Sequence, residues 1–154
     1  MFRLLVLICC LQLWNCQETP GKYVAVTFGK VNWFVAHEKC NRSGMILATV
    51  NTYDQHLQVI SSILKNGHLL GIENFWLGAS NLKDLNTWTW QSIGTPLGYK
   101  NWSKDEPQSN LIGQNGCMIM GMDESWYSVD CNSKYYFICE RTSILKKSSE
   151  PMYL

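Results

Sequence analysis

Four cysteines constrain this chain more than any other feature: Cys40, Cys117, Cys131 and Cys139. The full 154-residue sequence holds seven, an odd number that would leave one thiol over. The other three, Cys9, Cys10 and Cys16, lie in or just after Met1 to Trp14, MFRLLVLICCLQLW. That stretch is one arginine followed by an apolar run of about 11 residues, the size of a signal-peptide core and too short to span a bilayer. Residues 1–16 are therefore expected to be a cleaved secretory signal, and all three extra cysteines leave with it. No second hydrophobic stretch of membrane length follows, so no membrane span is expected. An even set of cysteines in a secreted chain implies a disulfide framework; four allow three connectivities, and spacing alone does not choose among them.

Composition narrows the class. Hydrophobic residues make up 46% and charged residues 16%, which fits one packed domain and excludes a disordered chain. Loss of Arg3 with the signal turns 13 basic and 12 acidic residues into 12 of each. A chain with no net charge is not recruited to DNA, RNA or anionic lipid by bulk electrostatics, so no nucleic-acid partner is expected. Asn41-Arg42-Ser43 and Asn101-Trp102-Ser103 fit the N-glycosylation pattern, making Asn41 and Asn101 candidate acceptors on a secretory route.

The first half of the chain carries helical patterns. Lys22 to Phe28 alternates as a strand closed by Gly29. Asn32 caps a helix through Arg42 with Trp33, Ala36 and Cys40 on one face, Gly44 stops it, and Ile46 to Val50 forms a short strand. A second helix starts at Asn51 or Thr52, places Asp54 where the helix dipole favours it, and turns Leu57, Ile60 and Leu64 inward until Asn66-Gly67. From Phe75 onward short strands alternate with Gly, Pro, Asn and Ser: Phe75–Leu77, Thr87–Gln91, Cys117–Met122, Trp126–Ser128 and Tyr135–Glu140. Residues 101–116 are a long loop of the kind that carries function, and residues 142–154 are a polar tail without a core pattern.

Catalytic arrangements are not evident. The histidines are His37, His56 and His68, and His37-Glu38-Lys39-Cys40 lacks the second histidine of a zinc-protease helix, so no zinc site is expected. His37 and His56 fall on the polar sides of the expected helices and are read as solvated. The chain is read as a non-enzyme.

The motifs, taken in order, resemble a C-type lectin domain. They are Trp33, Ala36 and Cys40; Leu47-Ala48; Phe75-Trp76-Leu77-Gly78; Trp88-Thr89-Trp90; Tyr99-Lys100-Asn101-Trp102; Glu106-Pro107-Gln108; Cys117; Trp126 with Cys131; and Phe137-Ile138-Cys139-Glu140. Together they cover residues 22–141, and the brevity of the chain is similar to secreted insect lectins. The resemblance implies an α+β fold of two helices, short antiparallel sheets and long loops. It also implies two disulfides, Cys40 with Cys139 and Cys117 with Cys131, with Trp76, Trp88, Trp90, Trp102 and Trp126 mostly in the core and a cis bond before Pro107.

In that family a sugar places two hydroxyls on a loop calcium held by acidic and amide side chains. Here the usual Glu-Pro-Asn becomes Glu106-Pro107-Gln108, Asn115 stands where glutamate is usual, and Tyr127-Ser128 replace an Asn-Asp pair. Glu106 alone keeps the family residue. Calcium affinity rises with the number of carboxylate ligands, so the resemblance implies an absent or weak calcium site centred on Glu106. An auxiliary site fares no better, with Asp84 its one carboxylate, and Asp105, Asp123, Glu124 and Asp130 are read as solvated loop charge. The expected carbohydrate-binding residues are Glu106, Gln108, Asn115, Tyr127 and Ser128, with the Tyr127 ring as a stacking face for a galactose-like sugar; a mannose-type glycan is the other possibility. The expected partner is a glycan or glycoprotein, and the alternative is a calcium-independent domain that binds another secreted or cell-surface protein.

Overall fold

A computed structural model describes residues 20–65, 73–108 and 116–142. The signal, Asn66-Gly67, His68, Ser109, Asn115 and the tail beyond Thr142 lie outside the described residues. Among the described residues, eight strands and two helices follow in the order β1 (Tyr23–Val31), α1 (Trp33–Arg42), β2 (Met45–Leu47), α2 (Tyr53–Leu64), β3 (Phe75–Ser80), β4 (Thr89–Trp90), β5 (Thr95–Pro96), β6 (Gly116–Met120), β7 (Trp126–Asp130) and β8 (Tyr135–Arg141).

Local chemistry sets the helix starts. The Asn32 side chain accepts from the Val35 N–H at 2.9 Å, and the Thr52 hydroxyl accepts from the Gln55 N–H at 3.2 Å. Each cap satisfies a donor that the first helical turn leaves free. α1 ends where Gly44 takes φ +68°, a conformation that costs glycine little. As expected, α1 buries Trp33, Ala36 and Cys40. The inward face of α2 differs from expectation: it buries His56, Val59 and Ile63, whereas Leu57 is 44% and Leu64 51% exposed. The cap at Thr52 fixes the phase of the helix. In that phase Val59 and Ile63 meet Tyr23 and Ala25 of β1 in the first core cluster, and the two leucines turn outward.

β8 organises the sheet, with β1 antiparallel on one side and β3 parallel on the other. β2 also pairs with β8, β6 joins β3, and β7 closes on β6 with Cys117 opposite Val129. The named strand pairs are antiparallel as the resemblance implied, apart from the parallel β3–β8 pair. β1 runs three residues past Phe28, and the expected strand Ile46–Val50 leaves the ladder after Leu47. Ala48 then works as a bridge: its N–H donates to the Ile138 carbonyl at 2.9 Å and its carbonyl accepts from Gly78 at 2.8 Å. β5 was not foreseen; it returns beside β4 through a turn in which Gly94 has φ +67°.

The core divides in two across the sheet. One cluster gathers Val59, Ile63, Phe75, Trp90, Met118 and Trp126; the other gathers Trp33, Leu47, Trp76, Ile119 and Phe137 around both disulfides. Those disulfides join Cys40 to Cys139 and Cys117 to Cys131. Trp76, Trp90 and Trp126 are fully buried, while Trp88 and Trp102 are partly buried against the first cluster. The Trp33 indole donates to the Leu77 carbonyl at 2.9 Å and that of Trp76 to Val31 at 2.8 Å.

Burying Glu140 requires partners, and it has them. Its Oε2 accepts from the Thr49 N–H and hydroxyl at 2.8 and 2.6 Å, and the Lys22 ammonium lies 3.0 Å from Oε1. Tyr23 donates to the Thr49 carbonyl at 2.7 Å, and burial, followed by the Glu140 charge, pushes its hydroxyl well above the usual phenol range. A saturated buried network of this kind fixes where β1 meets the 48–50 segment.

Candidate functional site

The segment Asn101–Gln108 runs along the outer edge of β7. Asn101 accepts from the Trp126 N–H at 2.7 Å through its carbonyl, and the Ser103 N–H donates to the Trp126 carbonyl at 3.0 Å. The peptide bond between Glu106 and Pro107 is cis, as the resemblance implied. This path brings Glu106 against Ser128. Glu106 Oε2 accepts from the Ser128 N–H at 2.9 Å, from the Ser128 hydroxyl in a short contact, and from the Gln108 N–H at 3.0 Å. Oε1 accepts from the Gln108 side-chain amide at 3.1 Å. The Ser128 oxygen in turn accepts from the Gln108 N–H at 2.8 Å. Three of the expected binding residues thus form one closed hydrogen-bonded group.

Tyr127 lies elsewhere. Successive residues of a strand face opposite sides of the sheet, so Ser128 meets Glu106 while Tyr127 turns toward Ile119 and Val129. Its ring lies against Gly121, where an added Cβ would come within 2.5 Å of Cε2. The Tyr127 hydroxyl donates to Asp123 Oδ2 at 2.8 Å. Burial pushes the Asp123 carboxyl up, but the Tyr127 hydroxyl and the Ser125 N–H outweigh it and hold the group below the usual carboxylate range. Tyr127 and Gln108 line one cavity of about 440 Å³ with Asn74, Met122, Asp123 and Tyr135. Glu106 is not in that lining. Gly121 and Asp123 complete the Tyr127 position and were missed as parts of it; the aspartate four residues before a tyrosine across a tight turn was the available signal.

Most of the loop acids are engaged, not merely solvated. Asp84 Oδ1 accepts from the Asn86 and Thr87 N–H groups at 2.9 and 2.6 Å, and those bonds hold its carboxyl below the usual range. Asp123 accepts from the Ser125 N–H at 3.1 Å and Asp130 from the Asn132 N–H at 2.9 Å. Each closes a turn on its own backbone. Among the described residues no three of His, Cys, Asp and Glu come together as a metal-holding group. Asn115 lies outside the described residues.

Neither described helical histidine is freely solvated. His56 is 4% exposed, with its ring centroid 6.2 Å from that of Tyr99 and 6.4 Å from that of Trp126. His37 is half-buried, its Nε2 3.3 Å from the Ser92 hydroxyl, and burial lowers its pKa. Both glycosylation candidates have engaged amides: that of exposed Asn41 on α1 lies 3.1 Å from His37 Nδ1, and that of Asn101 donates to the Glu124 carbonyl at 3.0 Å. No described helix is long and apolar enough to cross a membrane.

Two helices, a β8-centred sheet, two disulfides and a loop laid along β7 define a lectin-type recognition domain. Residues 29–141 match the family model for the lectin C-type domain, and the chain belongs to that family. A C-type lectin mosGCTL-7 of Culex quinquefasciatus is 30% identical over 131 residues, covering 79% of this chain and 75% of the relative. A salivary C-type lectin 2 of Aedes albopictus is 30% identical over 149 residues, covering 90% and 97%. Among solved structures, the tunicate C-type lectin TC14 superposes with TM-score 0.62 at 26% identity, covering 78% of this chain and 98% of that one.

Proposed function

We propose that this chain is a secreted lectin that binds a carbohydrate without a loop calcium. The closed group around Glu106 carries the reading. Calcium needs six to eight oxygen ligands and gains affinity from each carboxylate, yet both oxygens of Glu106 already accept hydrogen bonds from Ser128 and Gln108. An ion at Glu106 would have to break those bonds and would find a serine hydroxyl where the family has a carboxylate. The residues present do not fit the ion.

A sugar is then held by the Tyr127 cavity. The tyrosine face suits the apolar side of a pyranose ring, and Gln108, Asn74 and Asp123 supply donors and acceptors for its hydroxyls. Glu106 resembles the mannose-type triplet and Gln108 neither usual form, so galactose-like and mannose-like glycans are both carried into the test. The apolar leader and the salivary name of a relative support secretion. Exposed Asn41 supports glycosylation there. A glycan array on the mature protein, run with calcium and with chelator, should give the same signal in both. Signal that disappears with chelator would sink the calcium-free reading, and no signal in either would sink the sugar.

A second reading has its own observation. Met122 is 53% exposed at the lip of the same cavity, an apolar group suited to a protein surface. A protein ligand on a secreted or cell-surface partner follows if the array is silent and cross-linking from Met122→Cys captures a partner.

A further inference from the structure

We propose that the cleft between β1 and the C-terminal end of α1 binds a single-chain anionic amphiphile of fatty-acid type. Its volume of about 470 Å³ falls in the range of small-molecule sites. It lies along β1 and α1, away from the loop that holds Glu106. Val24, Val26 and Met45 give it aliphatic walls, and Phe137 and Cys139 close its floor. At its edge Phe28 is 81% exposed, more than any other large apolar side chain described as exposed. A phenyl ring left in water beside an apolar cleft is surface that an apolar chain would cover. A sugar fits poorly, since the lining offers one hydroxyl, Ser43, against six apolar side chains.

The charge at the mouth selects the headgroup. Lys39 and Arg42 line the cleft, and among the described residues no acidic side chain does. Lys39 Nζ sits 5.6 Å from the Phe28 ring centroid, which places a cation directly over the apolar lip. Two features oppose an anion. Glu38 approaches Arg42 at 3.7 Å, but both side chains are mostly exposed and water screens the pair. The end of α1 carries a helix-dipole charge of about −0.5. The Ser43 hydroxyl donates to the Lys39 carbonyl at 3.2 Å and blunts it, and two full positive charges outweigh the remainder. A carboxylate with its chain along Val26 and Phe28 meets both requirements at once.

The test is calorimetric titration of the mature, disulfide-bonded protein with octanoate, decanoate and dodecanoate below their micelle concentrations. Saturable one-to-one binding is expected, tightening about fourfold per methylene. Lys39→Glu with Arg42→Glu should weaken decanoate at least about tenfold and leave decanol unchanged. Phe28→Ala should weaken both. All three side chains are exposed, so the variants keep the fold, which near-ultraviolet circular dichroism checks. The proposal is overturned if decanoate shows no saturable binding, if decyltrimethylammonium binds as tightly, or if the charge reversal leaves decanoate affinity intact. Binding to phosphatidylserine vesicles without binding of monomeric decanoate would overturn it in favour of a membrane-surface contact.

Discussion

Ser128 donates to Glu106 Oε2 through both its main-chain N–H and its hydroxyl, so the one family carboxylate in the loop is held by the residue that replaces another. On the calcium-free reading proposed above, a compact neutral donor stands where the family's ligand carboxylate would be, and it attracts Glu106 instead of repelling it. The melting temperature of the native protein should therefore not move between millimolar calcium and chelator. Ser128→Ala should cost about 1–2 kcal/mol, because it removes a donor to a charged oxygen at a buried position and an acceptor for the Gln108 N–H. Ser128→Asp combined with Gln108→Asn should lower stability in chelator and recover it in calcium. Urea unfolding of the three proteins under both conditions decides the matter.

The disulfides close loops of different length, 99 and 14 residues of separation. On the chain-entropy account, replacing Cys40 and Cys139 by alanine should cost about 4–5 kcal/mol and replacing Cys117 and Cys131 about 3 kcal/mol. Both losses are large beside the 5–15 kcal/mol of a typical domain. If the short-loop variant proved the less stable of the two in equilibrium urea unfolding, the loop-closure account would fail for this protein.

Gly78 shows where close approach of backbones limits the sequence. A Cβ there would lie 2.6 Å from the Leu47 carbonyl oxygen and 2.9 Å from that of Ala48. Backbone cannot yield as a flexible side-chain tip can, and the Gly78 N–H is already bonded to Ala48. Gly78→Ala should cost about 3 kcal/mol, whereas Gly98→Ala, with open space around it, should change little. Matched thermal scans on the two variants provide the comparison.

Local signals were legible where one residue and its neighbours decide the outcome. Asn32 and Thr52 cap helices because their side chains answer their own backbone, and Trp33, Ala36 and Cys40 share a face by spacing alone. The pairing of cysteines and the cis bond before Pro107 came from family likeness, since neither follows from local chemistry. What escaped the sequence depends on relations between segments. The phase of α2 was set by its cap and by β1, which put His56 inside and Leu64 outside. The facing of Tyr127 depended on strand alternation read from Trp126, which is core; the residue after it must then turn to the other side. The occupation of Glu106 by Ser128 required knowing that the 101–108 segment lies along β7, a contact across more than twenty residues of chain.

His56 gives the fold an expected acid dependence. It is 4% exposed, stacks on Tyr53 and meets Trp126 edge-on, and its Nδ1 has no hydrogen-bond partner among the described residues. Burial disfavours the imidazolium and lowers the pKa, with the Glu124 charge opposing the shift more weakly. The unfolded chain then takes up the proton at higher pH than the folded one. Stability is therefore full above the ordinary histidine pKa of about 6.5 and falls as pH drops below it, until the folded state is protonated as well. His37, lowered by burial, adds in the same direction. His56→Phe keeps an aromatic ring in the stack and removes both the titration and the unpaired nitrogen. It should flatten the loss of stability below neutral pH without lowering stability at pH 8, and His56→Phe with His37→Gln should flatten it further. Urea midpoints from pH 8 down to pH 5 would show this directly. An unchanged slope in the double variant would mean that the acid dependence arises from the carboxylates instead.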